Sequence, residues 1–205
     1  MNALRTTFAL AAAAALSLPL FAPAPAQAAT WEMDAAHSHI GFKVRHLAVS
    51  WVRGDFGDAT ATIEYDGKDP KTLKADVSIA VSSVDTENQK RDEHLRSADF
   101  FDAAEHPTMT FKSKKVKNVS KDGSSFQLVG DLTLRGVTKE VTLDVEDFTS
   151  GTVDPWGNVK AGASASTTID RKEFGLTWNN TLDGGGLVVG DDVKIELELE
   201  FNQKK

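Results

Sequence analysis

The 205-residue chain contains no cysteine. No disulfide can brace it, no thiolate can act as a nucleophile, and its stability has to come from its core. After the first two dozen residues there is no long apolar run, so nothing in the body of the chain can cross a membrane as a helix, and that body reads as a soluble domain. It also lacks internal repeats, low-complexity tracts and the GxSxG and HExxH signatures of serine hydrolases and zinc peptidases. A net charge of −7 argues against nucleic acid or anionic membrane as the main partner, although it leaves room for a local basic mouth.

What is present begins with a likeness to an export signal. Arg5 and the amino terminus are positive, Phe8 to Leu20 is Ala- and Leu-rich, and Ala26-Gln27-Ala28 is a small-x-small cleavage site. The expectation is a signal peptide over 1–28 and a mature domain over 29–205, large enough to bury a core without disulfides. Loss of Arg5 takes the net charge from −7 to −8. A retained anchor is the alternative.

The mature chain alternates apolar and polar residues with a period of two, the mark of strands with one buried face. Ile40, Phe42 and Val44 share a face, with His46 at its end. Leu47 to Val52 shows no alternation and reads as one helical turn. Ala59 to Tyr65 and Leu73 to Val81 alternate around Asp66-Gly67 and form a hairpin. Further runs start at Met109, Phe126, Val137 and Val159, and Val193 to Phe201 alternates with Lys and Glu throughout. Asp183 to Gly186, with three glycines, reads as a mobile loop. Arg91 to Phe111 interrupts the pattern: helix-forming residues over Glu87 to Leu95, then Phe100–Phe101, then Pro107, which ends any helix. The aromatic doublet needs an apolar surface to cover, and the open end of a rolled sheet would provide it.

About eight strands with short turns give an all-β chain, one antiparallel sheet that closes into a barrel to remove its edges. Whether that barrel is hollow decides its function. Ala59, Ala61, Ala75, Ala161, Ala163 and Ala165 lie on apolar faces. Clustered, they would leave a long, narrow, greasy lumen suited to a hydrocarbon chain. Close packing of native interiors favours a solid core in which large residues face small ones. The residues alone leave both open.

The run HSHIGFKVRH with the following GDFG resembles the first strands of the YceI-like proteins. So do RDEHLRSADFFDAAEHPTMTF, GDLTLRGVTKEVTLDV, ASTTIDRKEFG and VGDDVKIELELEF, in that order, over roughly Thr30 to Phe201. The resemblance implies an extended eight-stranded antiparallel lipocalin-like barrel with a short helix at one end, located in the bacterial periplasm. It further implies a lumen holding a polyisoprenoid, an isoprenoid quinone or a fatty amide as ligand, with no other cofactor. No catalytic motif carries over.

On this reading the lumen candidates are Ile40, Phe42, Val44, Ile63, Val77, Ile79, Phe111, Leu132, Leu134, Leu143, Ile169, Phe174 and Trp178, each of which also has a plain role as core. His46 and Arg53, near a strand end, are candidates to meet a polar headgroup, or else are ordinary surface groups. His94 fits a role docking the helix, Asp99 a cap or a pair with Arg96 or Arg91, and Arg171 a cross-strand pair. His37 and His39 are spaced i, i+2, but no third metal ligand is visible and no metal is expected. Ser38 between them makes no triad. The basic run Lys112 to Lys117 reads as a solvated strand face, with transient membrane contact as the alternative. The expectation is a binding protein and not an enzyme, although a lipid-directed enzyme using His46 and a solid interaction module stay in view, as does a homodimer.

Overall fold

The computed structural model describes residues 28–180 and 186–204. The signal-peptide segment, apart from Ala28, and the Asp183–Gly186 loop, apart from Gly186, lie outside the described residues.

Strands form where the period of two predicts them and also at Ala29–Met33, Ser50–Phe56 and Val84–Asp85, where it does not. They are β1 (Ala29–Met33), β2 (His39–His46), β3 (Ser50–Phe56), β4 (Ala59–Tyr65), β5 (Lys74–Ala80), β6 (Val84–Asp85), β7 (Thr108–Lys117), β8 (Phe126–Leu134), β9 (Val137–Val153), β10 (Val159–Asp170) and β11 (Val189–Gln203). All pair antiparallel, in the order β1-β4-β5-β7-β8-β9-β10-β11, and β11 returns to β1 through Met33 opposite Phe201. β2 continues β1 along β11, β3 pairs with β2, and β6 pairs with β3. The short segments therefore act as broken halves of long strands, and the sheet is a closed eight-stranded antiparallel barrel with no free long edge.

The run Leu47 to Val52 is not a helical turn. Leu47, Ala48 and Val49 make the β2–β3 hairpin tip, with Leu47 and Ala48 in the left-handed region (φ 54° and 56°), and β3 follows from Ser50. Its inward residues are Val52, Gly54 and Phe56; the glycine, lacking an apolar side chain, hides the alternation. Gly54 is required by a close approach. A Cβ there would meet the Phe42 ring at 2.5 Å, so only glycine leaves that ring its place against β3.

One helix, α1 (Gln89–Arg96), is present among the described residues. Asn88 caps it by accepting from the Arg91 amide at 3.1 Å. It docks by polar bonds: the Arg96 guanidinium donates to the carbonyls of Ser82 (2.8 Å) and Val84 (2.7 Å), and buried Asp92 accepts from the Thr86 amide at 2.9 Å. Phe100 and Phe101, just beyond it, are buried across the barrel end, as the doublet predicts.

Candidate functional site: an apolar cavity along the barrel

The barrel is hollow. A cavity of about 370 Å³ runs inside it, within the ~300–1,000 Å³ typical of small-molecule sites. From Val193 to Phe201 its β11 wall advances roughly 27 Å at ~3.4 Å per residue. With strands tilted ~40°, the axial length is roughly 20 Å. The space arises where small side chains face one another's strands. Ala163 and Ala165 on β10 sit opposite Leu199 and Leu197, and Ala61 and Ala75 on β4 and β5 stand opposite Val77 and Ile63; all four alanines line the cavity. Ala59 and Ala161 do not. One end is floored by Phe126 and Phe148, 5.4 Å apart, with Tyr65 behind Phe148 at the same spacing.

The other end is the helical lid. His94 stands edge-on to Phe100 (5.0 Å) and Trp178 (4.9 Å) while its Nε2 meets Asp99 at 2.9 Å. The helix-docking role of His94 therefore takes this form, and Asp99 pairs with it instead of with an arginine. Arg135 latches the lid to the β8–β9 turn, donating to the carbonyls of Ala98 (2.8 Å), Phe100 (3.0 Å) and Gly175 (3.1 Å). Its backbone is held in the left-handed region (φ 49°) followed by Gly136 (φ 72°), the pattern of a two-residue hairpin turn.

Polar groups reach the wall only at this end: Arg45, His46, Arg91, His94, Thr167 and Arg171. No carboxylate lines it. Arg171 is 3% exposed and its donors face protein acceptors: the carbonyls of Gly190 (2.8 Å), Trp178 (2.9 Å) and Leu176, with Val189 and Asp191 at 3.4 Å. It ties β10 to β11 and to the 176–178 segment, a broader task than a cross-strand pair. Arg91 is turned to Thr86 Oγ1 and its carbonyl, both at 2.7 Å. Arg45 borders the wall from the outer row, its guanidinium stacked on Trp51, whereas inward His46 is only half-buried beside the exposed tip residue Leu47, so the cavity opens next to the β2–β3 tip.

Of the lumen candidates, Ile40, Phe42, Val44, Ile63, Val77, Ile79, Phe111, Leu132, Leu134, Leu143, Ile169 and Trp178 line the cavity. Phe174 does not: β10 ends in a short 3₁₀ turn, Arg171–Phe174, which carries its ring out of the strand's alternation into solid core. His46 lies on the wall near the mouth. Arg53 does not; it pairs with Lys43 on the outer row of the sheet and is exposed, one residue out of phase with the inward Val52 and Gly54. No sequence pattern marks Arg91 and Arg135 as lid residues, since their partners are backbone carbonyls and a neighbouring hydroxyl.

On the outside, Asp34, His37 and Glu200 converge within metal-ligand reach of one another. The ammonium of Lys160 already occupies that position, 3.1 Å from Asp34 and 2.8 Å from Glu200. His39 turns away to Asp55 at 3.0 Å, so the two histidines serve different carboxylates. Burial alone would raise the Asp34 carboxyl, but hydrogen bonds from His37, Lys160, Asn202 and the Ala36 amide hold it down at about 2.

The YceI-like domain model matches residues 31–201, and the chain belongs to that family. A UPF0312 protein of Pectobacterium atrosepticum is 44% identical over 147 residues, 72% of this chain and 74% of the relative. The YceI protein of Campylobacter jejuni superposes with a TM-score of 0.67 at 37% identity, over 84% of this chain and 96% of that one. A polyisoprenoid binding domain from Saccharophagus degradans shares the fold (TM-score 0.61, 15% identity, 85% of this chain and 98% of that one).

Proposed function

We propose that this protein is a periplasmic binding or carrier protein that holds one long-chain amphiphile, a polyisoprenoid, isoprenoid quinone or fatty amide, in its barrel. The observation that carries the reading is the shape and polarity of the cavity: long, closed by aromatics at one end, apolar along its length and polar only at the other end. A tail laid along it is stabilised by about 0.8 kcal/mol per buried methylene, so affinity does not require a strong polar contact. The export-signal pattern over 1–28 and the polyisoprenoid-binding relative of the same fold support the location and the class of cargo.

Binding fits better than catalysis. The ionisable groups on the wall are turned to protein partners: His94 to Asp99, Arg91 to Thr86 and Arg171 to backbone carbonyls. His46 stands without a hydrogen-bonded orienting group among the described residues, which a general base would need. The test is uptake by delipidated protein of a long-chain prenyl alcohol presented in detergent micelles. Saturable uptake of one molecule per chain is expected; uptake that never saturates, or none, refutes the reading.

A further inference from the structure

The β2–β3 hairpin tip is built against the usual chemistry of turns. Left-handed tip positions are filled most cheaply by Gly, Asn or Asp. Here they are Leu47 and Ala48, followed by Val49, which is 79% exposed. Leu187, also exposed, lies beside them, since the Leu47 amide bonds the neighbouring Val188 carbonyl at 2.9 Å. These residues form an apolar prow next to the cavity mouth, where His46, Val188 and Val189 are on the wall.

Behind the prow, the outer face of the sheet is cationic. The Trp51 ring lies under Arg45 (4.2 Å), Lys194 (5.3 Å) and Lys43 (5.7 Å), and Arg53 follows two residues along the same face. Lys43 is bonded to Glu196 of β11 and Asp192 of β11 is exposed nearby, but Asp55, the acid of β3, lies a rung further from the tip and is paired with His39. Positive charge is thus gathered at the prow of a chain whose net charge is −7. In the basic run Lys112 to Lys117, Lys114 is answered by Asp131 (2.6 Å) and Glu140 (3.4 Å) and Lys112 by Asp76 (3.7 Å), and no exposed apolar tip among the described residues accompanies the run.

We infer that this face docks on an anionic phospholipid surface, with Leu47, Val49 and Leu187 entering the headgroup region and Arg45, Arg53 and Lys194 meeting lipid phosphates. An apolar tip ringed by cations and an aromatic has the chemistry of an interfacial anchor. Docked in this way, the cavity mouth faces the bilayer, and a tail can pass between membrane and barrel with little exposure to water. The transfer step rests on the lipid-carrier reading above; the docking does not.

The test is co-flotation with vesicles free of cargo lipid, made of equal parts phosphatidylglycerol and phosphatidylcholine, against phosphatidylcholine alone. Wild-type protein should float with the anionic vesicles, and less so as salt is raised. Arg53→Gln with Lys194→Gln should weaken binding about 25-fold, roughly fivefold per cation. Val49→Asp should weaken it about tenfold. Trp156→Ser, an exposed aromatic on the β9–β10 turn, should leave it unchanged. Circular dichroism and micellar uptake of a prenyl alcohol check that the tip variants are folded with the cavity intact. Wild-type protein that ignores anionic vesicles, or a loss caused by Trp156→Ser and not by the tip variants, overturns the docking while leaving the carrier reading standing. Docking without micellar uptake does the reverse.

Discussion

Ala165→Leu separates a hollow barrel from a packed one. Ala165 lies on the cavity wall, flanked by Leu197 on β11 and Val145 on β9. Leucine adds three carbons, and with sheet on both sides they can only extend into the lumen. A tail that gives up the matching length loses about three methylenes of burial, ~2.4 kcal/mol at ~0.8 each, or roughly 60-fold in affinity. The delipidated protein should not suffer, because the new side chain occupies empty space; a cavity-filling change of this kind commonly adds ~0.5–2 kcal/mol. Titration with a prenyl alcohol and thermal unfolding of the same lipid-free sample give the two readouts. Weaker uptake with a melting temperature equal to or above wild type is expected. If the interior is close-packed instead, overpacking lowers stability by about 1–3 kcal/mol and uptake does not change, and the argument fails.

Three further predictions concern the frame around the cavity. Arg171→Met should destabilise the fold by about 3–5 kcal/mol in denaturant titration, because it strands the buried carbonyls of Leu176, Trp178 and Gly190 together. Arg135→Met should leave the barrel intact but free the lid, seen as faster amide exchange over residues 97–101 and faster release of bound lipid, with an opening cost lower by about 1–3 kcal/mol. The Asp34 carboxyl titrates at about 2 in the fold, below the ~3.9 of an unfolded aspartate, so its contribution is complete above that value and is lost as pH falls through 2. Asp34→Asn should therefore be less stable than wild type at neutral pH, with the gap closing towards pH 2; a gap independent of pH would contradict the assignment.

The barrel was legible because one physical rule, alternation with a buried face, governs most of its length. The clearest case is β11, where Val193 to Phe201 alternates without a break and all five apolar residues reach the cavity. The lid was legible from Phe100–Phe101, two rings that water would not tolerate. The rule failed where a backbone departs from the strand. Phe174 lies five residues beyond Ile169, so a continued β10 would turn it outward; instead Asp170 caps a 3₁₀ turn that ends at left-handed Gly175 and sends the ring into the core. Arg53 was misplaced because Gly54, carrying no side chain, concealed the phase of β3. Breaks within long strands, such as Val81–Ser83 between β5 and β6, were also invisible, since both halves keep their own alternation. Arg91, Arg135 and Arg171 act on backbone carbonyls brought close by the fold, and nothing local in the sequence marks such contacts. Whether alanines on different strands meet depends on register, which settled the matter of the lumen only once Ala163 and Ala165 were seen facing the same space as Ala61 and Ala75.

The most direct measurement of the central claim is native mass spectrometry of the protein purified from its own host without detergent. A lipid-loaded barrel gives a second mass series, heavier than the bare chain by one long-chain lipid, which disappears after organic extraction and returns when a prenyl lipid is added back. A single series at the bare mass, unchanged by added lipid, would contradict the claim.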